Sequence, residues 1–146
     1  MILNLRGVER DGSIVMEMPN IILDRKLKFQ IGVHRVHITI DTAGKENNAQ
    51  ENTVQHNNEL LLISSNLVDR SAANPTQSIV YFNFKSKTNN IQSYYSPHII
   101  FHNLHLHELS NASFQLCRFT GESLTLPVKE IFIQLELLRD ISYGRI

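Results

Sequence analysis

The segment from Lys129 to Leu138, KEIFIQLELL, carries an aliphatic side chain at every second position from 131 to 137. The positions between them hold Phe132, Gln134 and Glu136. Because neighbouring side chains of a β-strand point to opposite faces, this alternation predicts a strand that buries its aliphatic face and exposes the other. A helix of the same sequence would spread both sets around its circumference.

The same two-residue period recurs through the chain and predicts about eight strands. In 27–33 the apolar residues occupy odd positions, and after His34 they occupy even ones, which indicates a β-bulge or two strands that meet at a bend. The other strands are predicted at 3–5, 14–18, 60–66, 77–85, 98–109, 114–119 and 129–138. Turn-forming pairs such as Asn74-Pro75 and Ser96-Pro97 lie between them. These features predict a single all-β domain over residues 1–146, a sandwich or barrel.

Charge and composition argue against several classes of protein. The chain has 146 residues, and 14 basic side chains balance 14 acidic ones, so we expect no nucleic-acid partner. No apolar run of membrane-spanning length occurs, and the first residues do not build a signal peptide, so we expect neither membrane insertion nor secretion by that route. Cys117 is the single cysteine, which fits a reducing compartment. The longest polar interval, 42–58, is predicted to be an exposed loop.

The segment FHNLHLHEL, residues 101–109, raises the question of a metal site. On a strand, His105 and His107 share one face about 7 Å apart and His102 lies on the other. Such a pair is half of a zinc site and needs a third ligand. The candidates are His34, His37, His56 and Glu108, of which Glu108 is on the wrong face and the others are distant in sequence. Solvent-facing or subunit-contact histidines are therefore favoured, and no metal or cofactor is expected.

Catalytic motifs are likewise missing from the sequence. There is no Gly-x-Ser-x-Gly elbow and no glycine-rich phosphate loop. Cys117 lies in FQLCRF, which alternates like a strand, so it is expected to be a small core residue and not a reactive thiolate. Tyr94 and Tyr95 are predicted to lie in a loop, where they would make a protein contact or stack on a sugar. The sequence predicts a protein that is not an enzyme.

The order of motifs in residues 60–139 resembles the small jelly-roll capsid proteins of Polinton/Maverick elements, adintoviruses and virophage-like relatives. LLISSNLVD, residues 61–69, stands where that family has a strand similar to VYSNIV. Tyr95 and Pro97 then match a Y-x-P step, and the last strand ends at Arg139 as in the pattern V-x-V-x-L-x-x-R. The chain departs from the family where a longer segment, ELSNASFQLCRFTGE, replaces an Asp-x-x-Gly turn.

This resemblance implies a single jelly-roll-like antiparallel β-sandwich of about eight strands with an architectural role. The chain would be a non-enzymatic, penton-like capsid component that forms a ring, with a pentamer favoured and a trimer possible. It would contact the major capsid protein of the same particle and reside in the virion after assembly in the host cytoplasm or nucleus. The candidate interface residues are Phe132, an aromatic on a polar strand face, and His105, His107, Tyr94 and Tyr95. Histidines at a subunit seam would make assembly sensitive to pH near 6.

Two other functions remain open from the sequence. One is a ligand-binding β-sandwich, lectin-like or receptor-binding, that uses Tyr94, Tyr95 and neighbouring Asn residues; a trimeric turret or fibre knob is one form of it. The other is a cupin-like metalloenzyme using His102, His105 and His107.

Overall fold

The computed structural model describes residues 1–10, 13–40, 59–84, 91–122 and 128–139, and the predicted polar loop at 42–58 lies outside these ranges. Nine strands and one 3₁₀ turn, Leu109–Asn111, are found in them. The strands are β1 (Ile2–Arg10), β2 (Ser13–Met16), β3 (Phe29–Ile40), β4 (Glu59–Ser65), β5 (Ser78–Phe84), β6 (Ile91–Tyr95), β7 (Phe101–Asn103), β8 (Phe114–Arg118) and β9 (Val128–Arg139). No helix in the described ranges is long and apolar enough to cross a membrane.

The strands pair in the order β5-β4-β8-β2-β1-β9-β3-β6, with β7 added alongside β3, and every pairing is antiparallel. Divided between β2 and β1, this order gives a first sheet, β1-β9-β3-β6, and a second sheet, β2-β8-β4-β5. This is the strand arrangement of a jelly roll, in which two four-stranded sheets enclose one core. At the far edges, the rings of Phe82 on β5 and Tyr94 on β6 lie 6.1 Å apart, so the sandwich is nearly closed. The predicted all-β sandwich is confirmed.

Strand β9 lies at the centre of the first sheet, between β1 and β3. Its inward residues are buried, and they are Val128, Ile131, Ile133, Leu135 and Leu137. Ile133 pairs with Leu5 of β1 on one side and Val36 of β3 on the other, and all three belong to the same core cluster. The alternation read in the sequence is therefore confirmed, with the aliphatic face turned inward.

Strand β3 contains a β-bulge at the position where the apolar phase changes. Val33 pairs with Leu135 and Arg35 with Gln134, so His34 is the extra residue without a partner on β9. The bulge is held by Ser96, whose backbone N–H donates to the His34 carbonyl at 2.9 Å and whose hydroxyl donates to the Val33 carbonyl at 2.7 Å. The bulge, and not the alternative bend between two strands, is thus what the phase change reflects.

Strand β1 connects the two sheets through a corner at Gly7. Residues 2–7 pair with β9 of the first sheet, whereas residues 7–10 pair with β2 of the second. A Cβ atom on Gly7 would lie 2.4 Å from the Met16 sulfur and 2.6 Å from the Val15 carbonyl oxygen. Glycine is therefore required at position 7, because β1 and β2 approach each other too closely there for any side chain.

Two sequence predictions about strands were wrong. Tyr94 and Tyr95 lie on strand β6, paired with β3, and not in a loop. The predicted strand at 98–109 is reduced to Phe101–Asn103, after which Leu104 and Glu108 form isolated bridges to Val68 and Ile22. The chain then enters the 3₁₀ turn at Leu109.

Candidate interaction surfaces

His105 and His107 lie in the irregular segment after β7, so the strand geometry predicted for them does not apply. His105 is exposed and His107 is half-buried, and its carbonyl accepts a hydrogen bond from the Leu23 N–H at 2.9 Å. Both line a shallow pocket, together with Arg25, Leu106, Glu108 and Asn111. This pocket is a separate surface from the outer faces of the two sheets.

The histidines proposed as further ligands have other partners. The imidazole of His34 lies 2.7 Å from a carboxylate oxygen of Glu136, and that of His37 lies 2.7 Å from the Ser93 hydroxyl. His102, on β7, is half-buried, and this burial lowers the pKa of its imidazole. Among the residues that the structure describes, no three histidine, cysteine or acidic side chains are grouped as a metal site would need. His56 lies outside the described residues.

Phe132 lies in a cluster on the outer face of the first sheet. Phe132, on β9, pairs with His37 on β3, and His37 pairs on its other side with Ser93 on β6. One row further along the strands, Arg35 pairs with Tyr95. We call this group, comprising Arg35, His37, Tyr95 and Phe132, the aromatic–cation patch.

The side chains of the aromatic–cation patch contact one another directly. The guanidinium carbon of Arg35 lies 5.3 Å from the centre of the Phe132 ring, which is cation–π geometry. The His37 ring lies 5.9 Å from Phe132 and meets the Tyr95 ring edge-on at 5.6 Å. Phe132 is therefore half-buried under its neighbours, while Tyr95 remains 60% exposed. Of the residues in the patch, Tyr95 presents the most aromatic surface to solvent.

Acidification is expected to destabilise the folded chain through His37. Burial, and secondly the Arg35 cation, lower the pKa of this imidazole from its ordinary value of about 6.5. The folded state thus binds the proton less readily than the unfolded state. The stabilisation that neutral His37 contributes is therefore complete above pH about 6.5, the ordinary pKa of the imidazole. It is lost as the pH falls through the lowered pKa that His37 has in the folded state.

The measurement is the urea midpoint of unfolding near pH 7.5 and near pH 5.5. Relative to the wild type, the His37→Gln variant should lose less stability between these two conditions, because glutamine carries no proton to gain. His98→Gln, at an exposed histidine, is the control and should behave like the wild type. An equal loss in the wild type and in His37→Gln would show that His37 does not couple to folding.

Tyr94 and Tyr95 point to opposite sides of β6. Tyr94 packs against the core, with its ring 6.1 Å from that of Phe82, whereas Tyr95 belongs to the outer aromatic–cation patch. The two rings therefore do not form one stacking platform for a sugar. Of the pair, Tyr95 is the one that an external partner can reach.

The second sheet also carries apolar side chains on its outer face. Leu62 of β4 pairs with Tyr81 of β5 and Cys117 of β8, and both Leu62 and Cys117 are buried although they lie outside the central core cluster. Around them Leu60, Tyr81 and Phe119 are exposed, and the last two rings lie 5.9 Å apart. We call these three exposed residues the apolar patch. Cys117 is buried as predicted, but on the outer side of its sheet, and burial raises the pKa of its thiol.

Phe132 and Tyr95 were candidates from the sequence, His37 was considered only as a metal ligand, and Arg35 and the apolar patch were not foreseen. A signal for the outward position of Arg35 and His37 was present, because the phase change at His34 turns Val36 inward and hence its neighbours outward. The apolar patch had no comparable signal, since its residues come from separate strands whose pairing the sequence does not specify.

The fold and these surfaces define a jelly-roll β-sandwich with an aromatic, cationic patch on one sheet and an apolar patch on the other. No family model, curated protein or solved structure matches the chain.

Proposed function

We propose that the chain is a structural, non-enzymatic capsid component of penton or vertex type. It assembles with copies of itself into a ring, with a pentamer favoured over a trimer, and contacts the major capsid protein of the same particle in the virion. The observation that carries this proposal is the jelly-roll strand order, an arrangement that viral capsid domains share with lectins and cupins. The resemblance of residues 60–139 to Polinton and adintovirus capsid proteins favours the capsid class among these.

The two outer patches support assembly into a ring. In a closed ring each copy meets its neighbours through two different surfaces, because the contact is heterologous. The aromatic–cation patch is on the first sheet and the apolar patch on the second, so one copy offers two surfaces of different chemistry. Aromatic side chains and arginine are the residue types enriched where protein surfaces associate.

Self-association of the purified chain tests the proposal. We expect light scattering to give a mass of several 16.8 kDa chains, with five favoured, at micromolar concentration. A mass of one chain at high concentration would contradict the proposal. A monomer that bound glycans on an array would favour the lectin-like alternative.

A variant in the apolar patch sharpens this test. Phe119 is 59% exposed, and Phe119→Ser is expected to weaken self-association by about tenfold if the patch is an interface, as truncation of a buried interface aromatic does. Ile22→Ser, at an exposed residue of the irregular segment between β2 and β3, is the control. Equal association of both variants and the wild type would remove the apolar patch from the interface.

A further inference from the structure

Strand β1 leaves one of its edges open over its first residues. Residues 2–7 pair with β9 on one side, whereas β2 covers the other side only along residues 7–10. Beyond β2 one more hydrogen bond forms on that side, from the Glu17 N–H to the Arg6 carbonyl at 2.7 Å. In the part of the chain that the structure describes, no strand pairs with Ile2–Leu5 along this side. We call this side of Ile2–Leu5 the open edge.

The alternation of hydrogen bonds between β1 and β9 determines which backbone groups face the open edge. The Met1 amino group donates to the Leu137 carbonyl at 3.0 Å, and the Met1 carbonyl accepts from the Leu137 N–H at 2.8 Å. In an antiparallel ladder, residues bonded in this way alternate with residues whose backbone groups point to the other side. The odd-numbered residues of β1 therefore bond to β9, and Ile2 and Asn4 turn their N–H and C=O groups to the open edge. The Arg6 carbonyl follows the same rule, since it accepts its bond from the side of β2.

Four backbone groups are thus available on the open edge, two N–H groups and two carbonyls. No described residue forms a hydrogen bond with them. A free strand edge is a template for pairing with another extended segment, and proteins usually cover such an edge. The open edge is therefore a binding surface for a strand.

The open edge forms one wall of a groove. The groove has a volume of about 400 Å³ and lies between Ile2–Leu5 and the segment that follows β2, namely Glu17, Met18 and Pro19. Leu3 and Met18 are half-buried and pack against the core, so apolar side chains lie beside the four backbone groups. An extended peptide matches both features, because its backbone pairs with the edge and its side chains cover the apolar surface.

The chain that follows β9 begins beside this groove. Because Leu137 is the partner of Met1, β9 extends two residues past the beginning of β1, to Arg139. The far side of β1 lies two strand spacings from β9, or about 10 Å, and about three extended residues span that distance. Residues 140–142 are therefore sufficient to cross the beginning of β1, and the chain from Tyr143 onward reaches the open edge.

The sequence of residues 140–146, DISYGRI, is compatible with pairing in the groove. It contains no proline, whose missing N–H would interrupt a strand. On an extended backbone Tyr143 and Arg145 share one face and Ile146 lies on the other, so either face brings an apolar side chain to the groove. Arg145 is also opposite in charge to Glu17, which lines the groove.

We propose that the open edge of β1 is a docking site for the chain that follows β9, residues 140–146 of the same molecule. This segment pairs with Ile2 and Asn4 and adds a strand to the first sheet beside β1. The same molecule is favoured over a second copy because the attachment at Arg139 holds the segment at a high effective concentration near the groove. The inference does not depend on the proposed function.

Hydrogen exchange of individual backbone amides tests the inference. In the intact chain the Asn4 amide should exchange as slowly as those of Leu3 and Leu5, which face β9. In a variant that lacks residues 140–146, the Asn4 amide should exchange about tenfold faster or more, because it loses its hydrogen bond. The amides of Leu3 and Leu5 are the internal controls and should change little. Circular dichroism verifies that the shortened chain is folded.

Each other outcome contradicts the inference. Fast exchange of the Asn4 amide in the intact chain overturns it without any variant, so the test remains decisive even if the shortened chain does not fold. Equal protection of Asn4 with and without residues 140–146 overturns it as well, because something else then covers the edge. Protection that increases with protein concentration would assign the edge to a second copy and overturn docking within one molecule.

Discussion

Alanine at position 7 is expected to lower the free energy of unfolding by about 3 kcal/mol, near the upper end of what overpacking normally causes. The added Cβ would lie 2.6 Å from the Val15 carbonyl oxygen, which is backbone. That contact can be relieved only if β1 and β2 move apart, and this separation weakens the ladder that joins the two sheets. The Met16 sulfur, at 2.4 Å, is the end of a flexible side chain and can move more easily.

Gly32 of β3 provides a matched comparison. A Cβ atom there would lie 2.5 Å from a methyl carbon of Ile99 and 3.0 Å from the Phe101 ring, and both of these neighbours are side chains. Because such side chains can shift without loss of strand pairing, Gly32→Ala should lower stability by only about 1 kcal/mol. Urea unfolding of both variants gives the comparison. If Gly7→Ala were as stable as Gly32→Ala, the backbones of β1 and β2 would not approach each other as closely at Gly7 as described here.

The parts of the fold that could be predicted from the sequence are those that one strand determines alone. Strand β9 is buried on one face and solvated on the other, so its side chains alternate and its sequence is sufficient to assign it. The bulge in β3 could also be predicted from the sequence, because one extra residue shifts the apolar alternation by one position.

The errors arose where local alternation did not reflect pairing. Strand β6 has no fully buried residue, so its sequence, IQSYY, lacks the apolar period even though it pairs with β3 over its whole length. The segment after Asn103 shows the reverse: its sequence alternates, but its pairing with other described residues consists of isolated bridges. Alternation records burial of one face, whereas strand pairing depends on neighbours that are distant in the sequence.

The same distinction explains what could be foreseen of the candidate surfaces. Phe132 stood out because it interrupts a polar face within a single strand. Its contact with Arg35 depends on the register between β3 and β9, and that register is set by the bulge at His34.

Ile133→Ala is expected to lower the free energy of unfolding by about 4 kcal/mol. This value is within the range for truncation of a buried isoleucine, which leaves a cavity in the core. Ile133 is 0% exposed and lies between Leu5 and Val36, on the two strands that flank β9. Neighbours on both sides are held by strand pairing, so they cannot collapse into the space that the side chain leaves. The chain should remain folded, because a domain of this size has roughly 10 kcal/mol of stability.

The matched control for Ile133→Ala is Gln134→Ala, one residue further along the same strand. Gln134 points outward and donates one exposed hydrogen bond to Asn4 at 3.0 Å, so its truncation should change stability by no more than about 0.5 kcal/mol. Urea unfolding followed by circular dichroism measures both variants under the same conditions. Two adjacent residues with such unequal effects can be explained only if β9 turns one face to the core and the other to solvent. Equal effects would mean that β9 is not the central, one-sided strand of the first sheet, and the surface that carries Phe132 and Arg35 would then have to be assigned anew.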